Sequence, residues 1–292
     1  MADTKAIANR INSIRDTRKI TNAMYLISST KLKKARKSLD DTTPFFHRLR
    51  EEIGVIVDHD MVTESRYLTT PEKLNKEGRW GILVITADKG LAGAYNQNVI
   101  KTTLALTEEY PDHELYVVGE YGKHFFSSHH QEFDTDFRFA DTEPSLYEAR
   151  MIAGYIMDRY DRGILSGVHI VYTDFKNALS SQAVEMRLLP FARSHFEGIT
   201  ERTDALEFEY LPSPQAVMER CIPVYCIGIV YSVLVSSFCC EQNDRMMAMD
   251  SADQNADSLL EELTVQYNHL RQNGITQEIT EISASVKASH RR

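Results

Sequence analysis

The sequence predicts a mixed α/β centre carried between two long amphipathic helices that are suited to pair with each other as a coiled coil. Three observations lead there. Apolar residues recur at alternating spacings of four and three at both ends of the chain, the two ends carry opposite charge, and the middle alternates short Val-, Ile- and aromatic-rich runs with helical stretches. At 292 residues, with 42% hydrophobic and 26% charged, the chain has the material for a real core and for one large domain or two.

The N-terminal helix comes first. Read with a helical period, Ile7, Ile11, Ile14, Arg18, Thr21, Tyr25, Ser28, Leu32, Ala35 and Leu39 fall on one line, a heptad seam with a polar middle. Ile20, Met24 and Ile27 lie one position to the side and are expected to widen the stripe. Residues 1–39 hold ten Lys or Arg against two Asp, a basic arm on a chain whose total charge is −9. The opening stretch MADTKAIANRINSI places charges where a signal peptide stays apolar, so nothing is expected to direct export.

The central segment follows. WGILVIT, ELYVVG, GVHIVYTDF and EMRLLPF read as strands, and NQNVIKTTLALTEEY and SLYEARMIAGYIMDRY as helices, an order that predicts a small, mostly parallel sheet flanked by helices. Between the first strand and the next helix lies ITADKGLAGAYNQNVI, with Gly90 and Gly93 in the turn. Such a turn holds a phosphate where backbone N–H groups and a helix N-terminus converge, yet it lacks both the G-x-G-x-x-G and the G-x-x-x-x-G-K-[ST] pattern, since Lys89 precedes the glycines. A tight turn needing positive φ is the preferred account of the glycines. Asp88 reads as a turn or cap residue, and no G-x-S-x-G, H-E-x-x-H or paired-carboxylate motif supplies a catalytic residue.

The C-terminal part begins with an uncharged run, Cys221 to Cys240, long enough to cross a bilayer. Pro223, Gly228 and three serines, with a direct passage into polar sequence, favour a helix hidden on several faces inside the protein. Cys221, Cys226, Cys239 and Cys240 have no metal-ligand spacing and read as reduced thiols, and no metal or cofactor is expected. Beyond the run, Met249, Ala252, Ala256, Leu260, Leu263, Tyr267, Leu270 and Gly274 form a second seam, and Glu241–Ile282 holds nine acidic residues against two basic. A basic and an acidic helix with apolar seams are natural mates. A helix from Pro214 to Ile282 would run roughly 100 Å at 1.5 Å per residue. Past Arg271 its apolar residues become Ile275, Ile279 and Ile282, displaced about 100° around the axis, so the tip faces something other than the N-terminal helix.

Three blocks, IRDTRKITNAMYLISSTKLKKARKSL, DKGLAGAYN and EQNDRMMAMDSADQNADSLLEELTVQYNHLRQNGITQEITEI, resemble in order and separation the signatures of the gamma subunit family of bacterial F-type ATP synthases. The resemblance spans essentially the whole chain, and its C-terminal block is the most specific. It implies an antiparallel coiled coil of the N- and C-terminal helices (1–60 and 213–292) with an inserted Rossmann-like α/β domain (78–212) that binds no nucleotide directly. It implies a rotor shaft, itself without a catalytic site or cofactor, that passes rotation of the membrane c ring to the alpha–beta hexamer and contacts the epsilon subunit. The expected location is peripheral, on the cytoplasmic face of the cell membrane, attached through the complex alone.

Carried over residue by residue, the resemblance implies that Met24 and Arg245 lie near the acidic lever loops of the catalytic subunits, with Lys31, Lys33 and Lys34 as further contacts. Gln272, Thr276 and Glu278 match shaft positions facing one catalytic subunit. Asp88, Lys89, Gly90, Gly93, Phe208, Glu209 and Tyr210 match the foot near the c ring, although Leu211 stands where the family often has an acidic residue. The cysteine-bearing regulatory insertion of photosynthetic relatives is absent, so no thiol switch is expected. On a shaft the polar seam residues Arg18, Thr21 and Ser28 acquire a purpose, fixing register. The alternatives are a nucleotide-binding α/β protein with a coiled-coil arm and a DNA-binding coiled coil. The second conflicts with the acidic body and with a basic cluster that lacks interleaved aromatics, so no nucleic-acid partner is expected.

Overall fold

The computed structural model describes residues 2–58, 65–70, 78–139, 143–177, 180–197 and 210–289. Helix α1 spans Ala2–Asp58 and helix α5 spans Pro214–Ser289. Between them come strands β1 (Leu68–Thr69) and β2 (Trp80–Ile85), helix α2 (Tyr95–Glu109), strand β3 (His113–Val118), helices α3 (Glu120–Ser128) and α4 (Leu146–Asp161), and strands β4 (Gly167–Asn177), β5 (Ser180–Leu189) and β6 (Phe191–Ala192). The chain divides into two compact units, one pairing α1 up to Ser28 with α5 from Arg245, the other comprising Ser29–Asp244.

In the first unit the two seams meet. Ile11, Thr21 and Ser28 on α1 and Met249, Ala256 and Leu263 on α5 are buried, with Ile7, Ile14, Arg18, Tyr25, Ala252, Leu260, Tyr267 and Leu270 half-buried between them. Arg18 of α1 pairs with Asp253 and Asp257 of α5, Lys31 lies over Phe238 and Phe46 against Gly228, so positions fall along α5 as they rise along α1 and the helices run antiparallel. Two expectations change. Ile20 and Ile27 do not widen the stripe but are 60% and 56% exposed, because a step of one residue carries a side chain about 100° off the seam. The second seam stops at Leu270, Gly274 being exposed with everything from 271 to 283.

The second unit is built on a four-stranded sheet in the order β3-β2-β4-β5, with β2 parallel to β3 and β4, and β5 antiparallel to β4. Strand β2 is buried along its whole length, as a central parallel strand covered on both faces must be. Its alternate residues serve two cores. Trp80, Ile82 and Val84 join Val99, Leu106 and Phe126 of α2 and α3, whereas Leu83 and Ile85 join Ile152 and Ile156 of α4 and Ile222, Val230 and Leu234 of α5. Because β3 and β4 lie on opposite sides of β2, and α2 and α4 on opposite faces, the sheet is doubly wound with its switch point at the carboxyl end of β2.

The uncharged run from Cys221 lies inside this unit. Among its residues Val224 and Ser232 alone are exposed, and the most apolar window of α5 is 67% buried. Gly228 permits the closest approach: a Cβ there would stand 2.1 Å from the ring of Phe46 on α1, so the ring rests on bare helix backbone. All four cysteines are free thiols, and burial pushes Cys239 up to about 11 and raises Cys226 and Cys240 as well.

Near β6, His195 is enclosed by Phe191, Phe196 and Tyr225. Its Nε2 lies 2.9 Å from the Tyr225 hydroxyl, and its carbonyl accepts from Arg50 Nη2 at 2.7 Å. Burial, aided by the Arg50 charge, lowers its pKa to about 4. The unfolded chain takes up a proton at His195 below about pH 6.5, while the folded one resists until about 4. The stability linked to this site is therefore whole above pH 6.5 and is lost as pH falls through that window. After discounting for solvent screening we expect about 1–2 kcal/mol, and urea titrations of His195→Gln between pH 7 and 4 should show a correspondingly flatter acid limb.

Candidate functional site

The turn after β2 occupies the switch point, where an open α/β sheet of this kind receives a ligand. Here the crevice is filled from within. Ala87, Ala92 and Tyr95 form a buried cluster with Cys240 of α5, and Phe175 of β4 packs against it. Asn96, in the first turn of α2, is also buried and accepts the Ala87 N–H through Oδ1 at 2.9 Å. The helix end that would face a phosphate is thus sunk in the fold, its residues engaged with the strand they follow, which speaks for the tight-turn reading.

The two glycines of that turn differ. Gly93 has φ +55°, as the tight turn requires, but Gly90 does not; the neighbouring left-handed residue is Leu91, at φ +67°. The expectation of positive φ at Gly90 is corrected, and a Cβ at either glycine meets nothing within 4 Å. Asp88 caps, though not its own helix: Oδ1 accepts the N–H of Glu120, the first residue of α3, at 3.1 Å. Lys89 is exposed, while Tyr210 is partly buried against the core. Phe208 and Glu209 lie outside the described residues.

Within the paired helices the polar seam resolves into unlike roles. Arg18 Nε and Nη2 donate to the two carboxylate oxygens of Asp253 at 3.0 and 3.2 Å, and Nη1 pairs with Asp257. The hydrogen bonds from Arg18 hold the Asp253 carboxyl below its ordinary value and raise the guanidinium. Thr21 differs from expectation: its hydroxyl turns back to the Arg18 carbonyl at 3.0 Å, satisfying itself on its own helix. Met24 is half-buried at the seam edge and Arg245 is only 8% exposed.

The basic cluster is partly engaged inside its own unit. Lys34 pairs with Glu143 at 2.5 Å, lowering that carboxyl, and Lys31 lies 5.8 Å from the Phe238 ring centroid, whereas Lys33 is exposed. Arg36 of the same cluster stacks 4.4 Å above the Phe175 ring. Missed by sequence reasoning were the α5 side chains that hold the far end of the β4–β5 hairpin. Ser236 Oγ accepts the Phe175 N–H at 2.9 Å, Ser237 Oγ accepts that of Thr173 at 3.3 Å, and Asp244 accepts from Ser181. The signal was the serine pair Ser236 and Ser237 in a largely apolar run, without any indication of what it faced.

At the distal part of α5, Gln272, Thr276 and Glu278 are exposed. Thr276 donates to the Gln272 carbonyl at 2.9 Å, leaving the Gln272 amide and the Glu278 carboxylate as the outward polar groups of these three. Ile275, Ile279 and Ile282 are 50%, 59% and 63% exposed, a stripe of large apolar side chains with no covering surface from the described residues.

A family model described as ATP synthase matches residues 3–288. A protein of Caldanaerobacter subterraneus subsp. tengcongensis named ATP synthase gamma chain is 41% identical over 288 residues, covering 94% of this chain and 96% of the relative. One of the same name from Ruminiclostridium cellulolyticum is 38% identical over 292 residues, covering 97% and 98%. Among solved structures, a chain of the Euglena gracilis mitochondrial ATP synthase in rotational state 3 superimposes with a TM-score of 0.68 at 18% identity, covering 99% of this chain and 95% of that one. A chain of the Tetrahymena thermophila mitochondrial ATP synthase central stalk and c ring gives 0.56 at 23% identity, covering 80% and 99%. At those identities the structural likeness speaks for the fold.

Proposed function

The chain belongs to the ATP synthase gamma chain family, and from that premise we propose that it is the rotor shaft, or central stalk, of an F-type ATP synthase. It transmits rotation of a membrane c ring to a catalytic alpha–beta hexamer and so regulates ATP synthesis, ATP hydrolysis and proton flow. Its partners are the alpha and beta subunits around the paired helices, the epsilon subunit, and the c ring beneath a foot that includes Asp88, Lys89, Gly90, Gly93 and the segment Phe208, Glu209 and Tyr210. The chain itself performs no catalysis, and ATP is made and hydrolysed in the hexamer. It sits on the cytoplasmic face of a bacterial cell membrane, held there by the complex.

The observation that carries this reading is the distal part of α5. An apolar stripe continues on a fully exposed helix after the seam has ended at Leu270. Such a surface is stable in water at a cost that a surrounding subunit removes. Gln272, Thr276 and Glu278 supply polar contacts beside the stripe. Met24 and Arg245 serve the lever contact with Lys31, Lys33 and Lys34 behind them, although the intramolecular partners of Lys31 and Lys34 leave Lys33 the most available of the three.

Hydrogen exchange tests the assignment. In the isolated chain, amides of 271–283 should exchange at least about a hundredfold faster than those of β2, since helix ends without tertiary contacts open locally. On reconstitution with alpha and beta subunits they should slow to within about tenfold of β2. Assembly that leaves 271–283 as unprotected as before would remove the hexamer as the partner of this stripe.

A further inference from the structure

Arg18 stands at a seam position where a stable static coiled coil would carry an apolar side chain. Its fork engages two carboxylates from the opposite helix, Asp253 through Nε and Nη2 and Asp257 through Nη1. The two acids are four residues apart, so they line one face of α5 and hold the planar guanidinium between successive turns. Arg18 and Asp253 are each about one-third exposed, which places the pair at the seam margin rather than on the outer surface.

The sequence around the pair rejects other registers. Sliding α5 by one heptad in one direction would set Leu260 and Thr264 opposite Arg18, leaving a half-buried cation with no carboxylate at either facing position. Sliding it the other way would offer Met246 and Asp250, one carboxylate in place of two. The apolar seam alone discriminates poorly between such shifts, since Met249, Ala256 and Leu263 repeat every seven residues. A single polar residue that is satisfied in one register alone is the established means of specifying it. Thr21 makes no such demand, being bonded to its own helix.

We propose that Arg18, clamped between Asp253 and Asp257, is the positioning residue that locks the axial register and mutual rotation of the paired helices, so that torque passes along them without slip. The register half of this statement stands on the ion cluster; the torque half rests on the rotor-shaft reading.

The test uses the full chain, with spin labels on unnatural amino acids at exposed Ser13 and Ser258, in the variants Arg18→Gln, Arg18→Glu and the triple reversal Arg18→Glu with Asp253→Arg and Asp257→Arg. The native chain should give one narrow label distance. Arg18→Glu sets three carboxylates together and should raise the population of a second distance about tenfold or more, the effect expected of losing a partly buried charge pair and gaining repulsion. Arg18→Gln should do so to a lesser degree, and the triple reversal should restore the single distance. Trp80 fluorescence, reporting on the sheet, should remain native throughout. Reconstituted with the other subunits in vesicles, Arg18→Glu should pump about half or fewer of the protons per ATP hydrolysed, with recovery in the reversal. A single native distance in Arg18→Glu, or a reversal that fails to restore it, overturns the register lock. Restored and broadened distances that leave the pumping ratio untouched keep the lock and overturn the torque role.

Discussion

Gly119→Ala is expected to destabilise the α/β unit by about 3–5 kcal/mol, a large part of what a domain of this size possesses. Gly119 follows β3 with φ +91°, a conformation that costs an L-residue about 1–2 kcal/mol by itself. The larger effect is steric. A Cβ at this position would lie 2.0 Å from the carbonyl oxygen of Thr86, which is backbone and has nowhere to retreat. Thr86 is wholly buried and ties three elements together: its N–H and its hydroxyl both donate to the Val118 carbonyl, at 3.0 and 2.8 Å, and its Oγ1 accepts the N–H of Gly122 in α3 at 3.0 Å. Moving Thr86 aside breaks the join between β2, β3 and α3. Trp80 is the sole tryptophan and is fully buried at the start of β2, so urea unfolding followed by its fluorescence reads the loss directly. Gly93→Ala, with positive φ but open space, should cost about 1 kcal/mol, and Gly90→Ala less than about 0.5 kcal/mol. Equal effects at 90 and 119 would mean that the close approach to Thr86 relaxes freely.

What was legible in the sequence were features that repeat. The two seams extend over many turns, so a single misplaced residue such as Ile20 does not hide them, and the opposite charges of the two helices identify each as the other's mate. Strand β2 was visible as an apolar run bounded by turn residues, and its burial on both faces followed from the βα alternation around it. What remained hidden needed one long-range fact each. Of the two left-handed places in the turn after β2, one falls on Gly93 and the other on Leu91, which is 63% exposed, although propensity assigns the latter to the adjacent Gly90. That the crevice beside the turn is closed depends on Cys240, some 150 residues along the chain, arriving against Tyr95. Asp253 and Asp257 looked like ordinary exposed acids of an acidic helix until the register placed Arg18 between them. Lys34 likewise belonged to a charge run whose solvated appearance gave no sign of Glu143.

Met24→Lys is expected to leave ATP hydrolysis within about twofold of normal while lowering proton pumping per ATP hydrolysed by about threefold or more. Met24 is half-buried at the seam edge, one turn from Ile20 and Ile27, which stand exposed, so its side chain has one face toward the helix pair and one toward whatever surrounds it. A lysine retains the aliphatic stem on the inner face and carries its ammonium outward. The fold should therefore tolerate the change. On the proposed shaft the ammonium enters the path of the acidic lever loops, which pass once per turn. A charge-assisted bond formed at some angles and not at others deepens those wells by about 1–3 kcal/mol. Hydrolysis can cross such a well with its own driving force; a rotor that must deliver torque to the membrane loses what the well absorbs. Met24→Leu, which conserves volume, should keep the native ratio. Met24→Glu, facing carboxylates with its own, forms no such bond and should reduce the ratio less than Lys does. Arg245, in the same unit and almost entirely buried, is the residue whose replacement by Gln should alter the size of the Lys effect if both address one loop. Acidification of inverted vesicles, divided by phosphate released, measures the ratio. An unchanged value in Met24→Lys would remove Met24 from the coupling contact and leave it as packing at the edge of the seam.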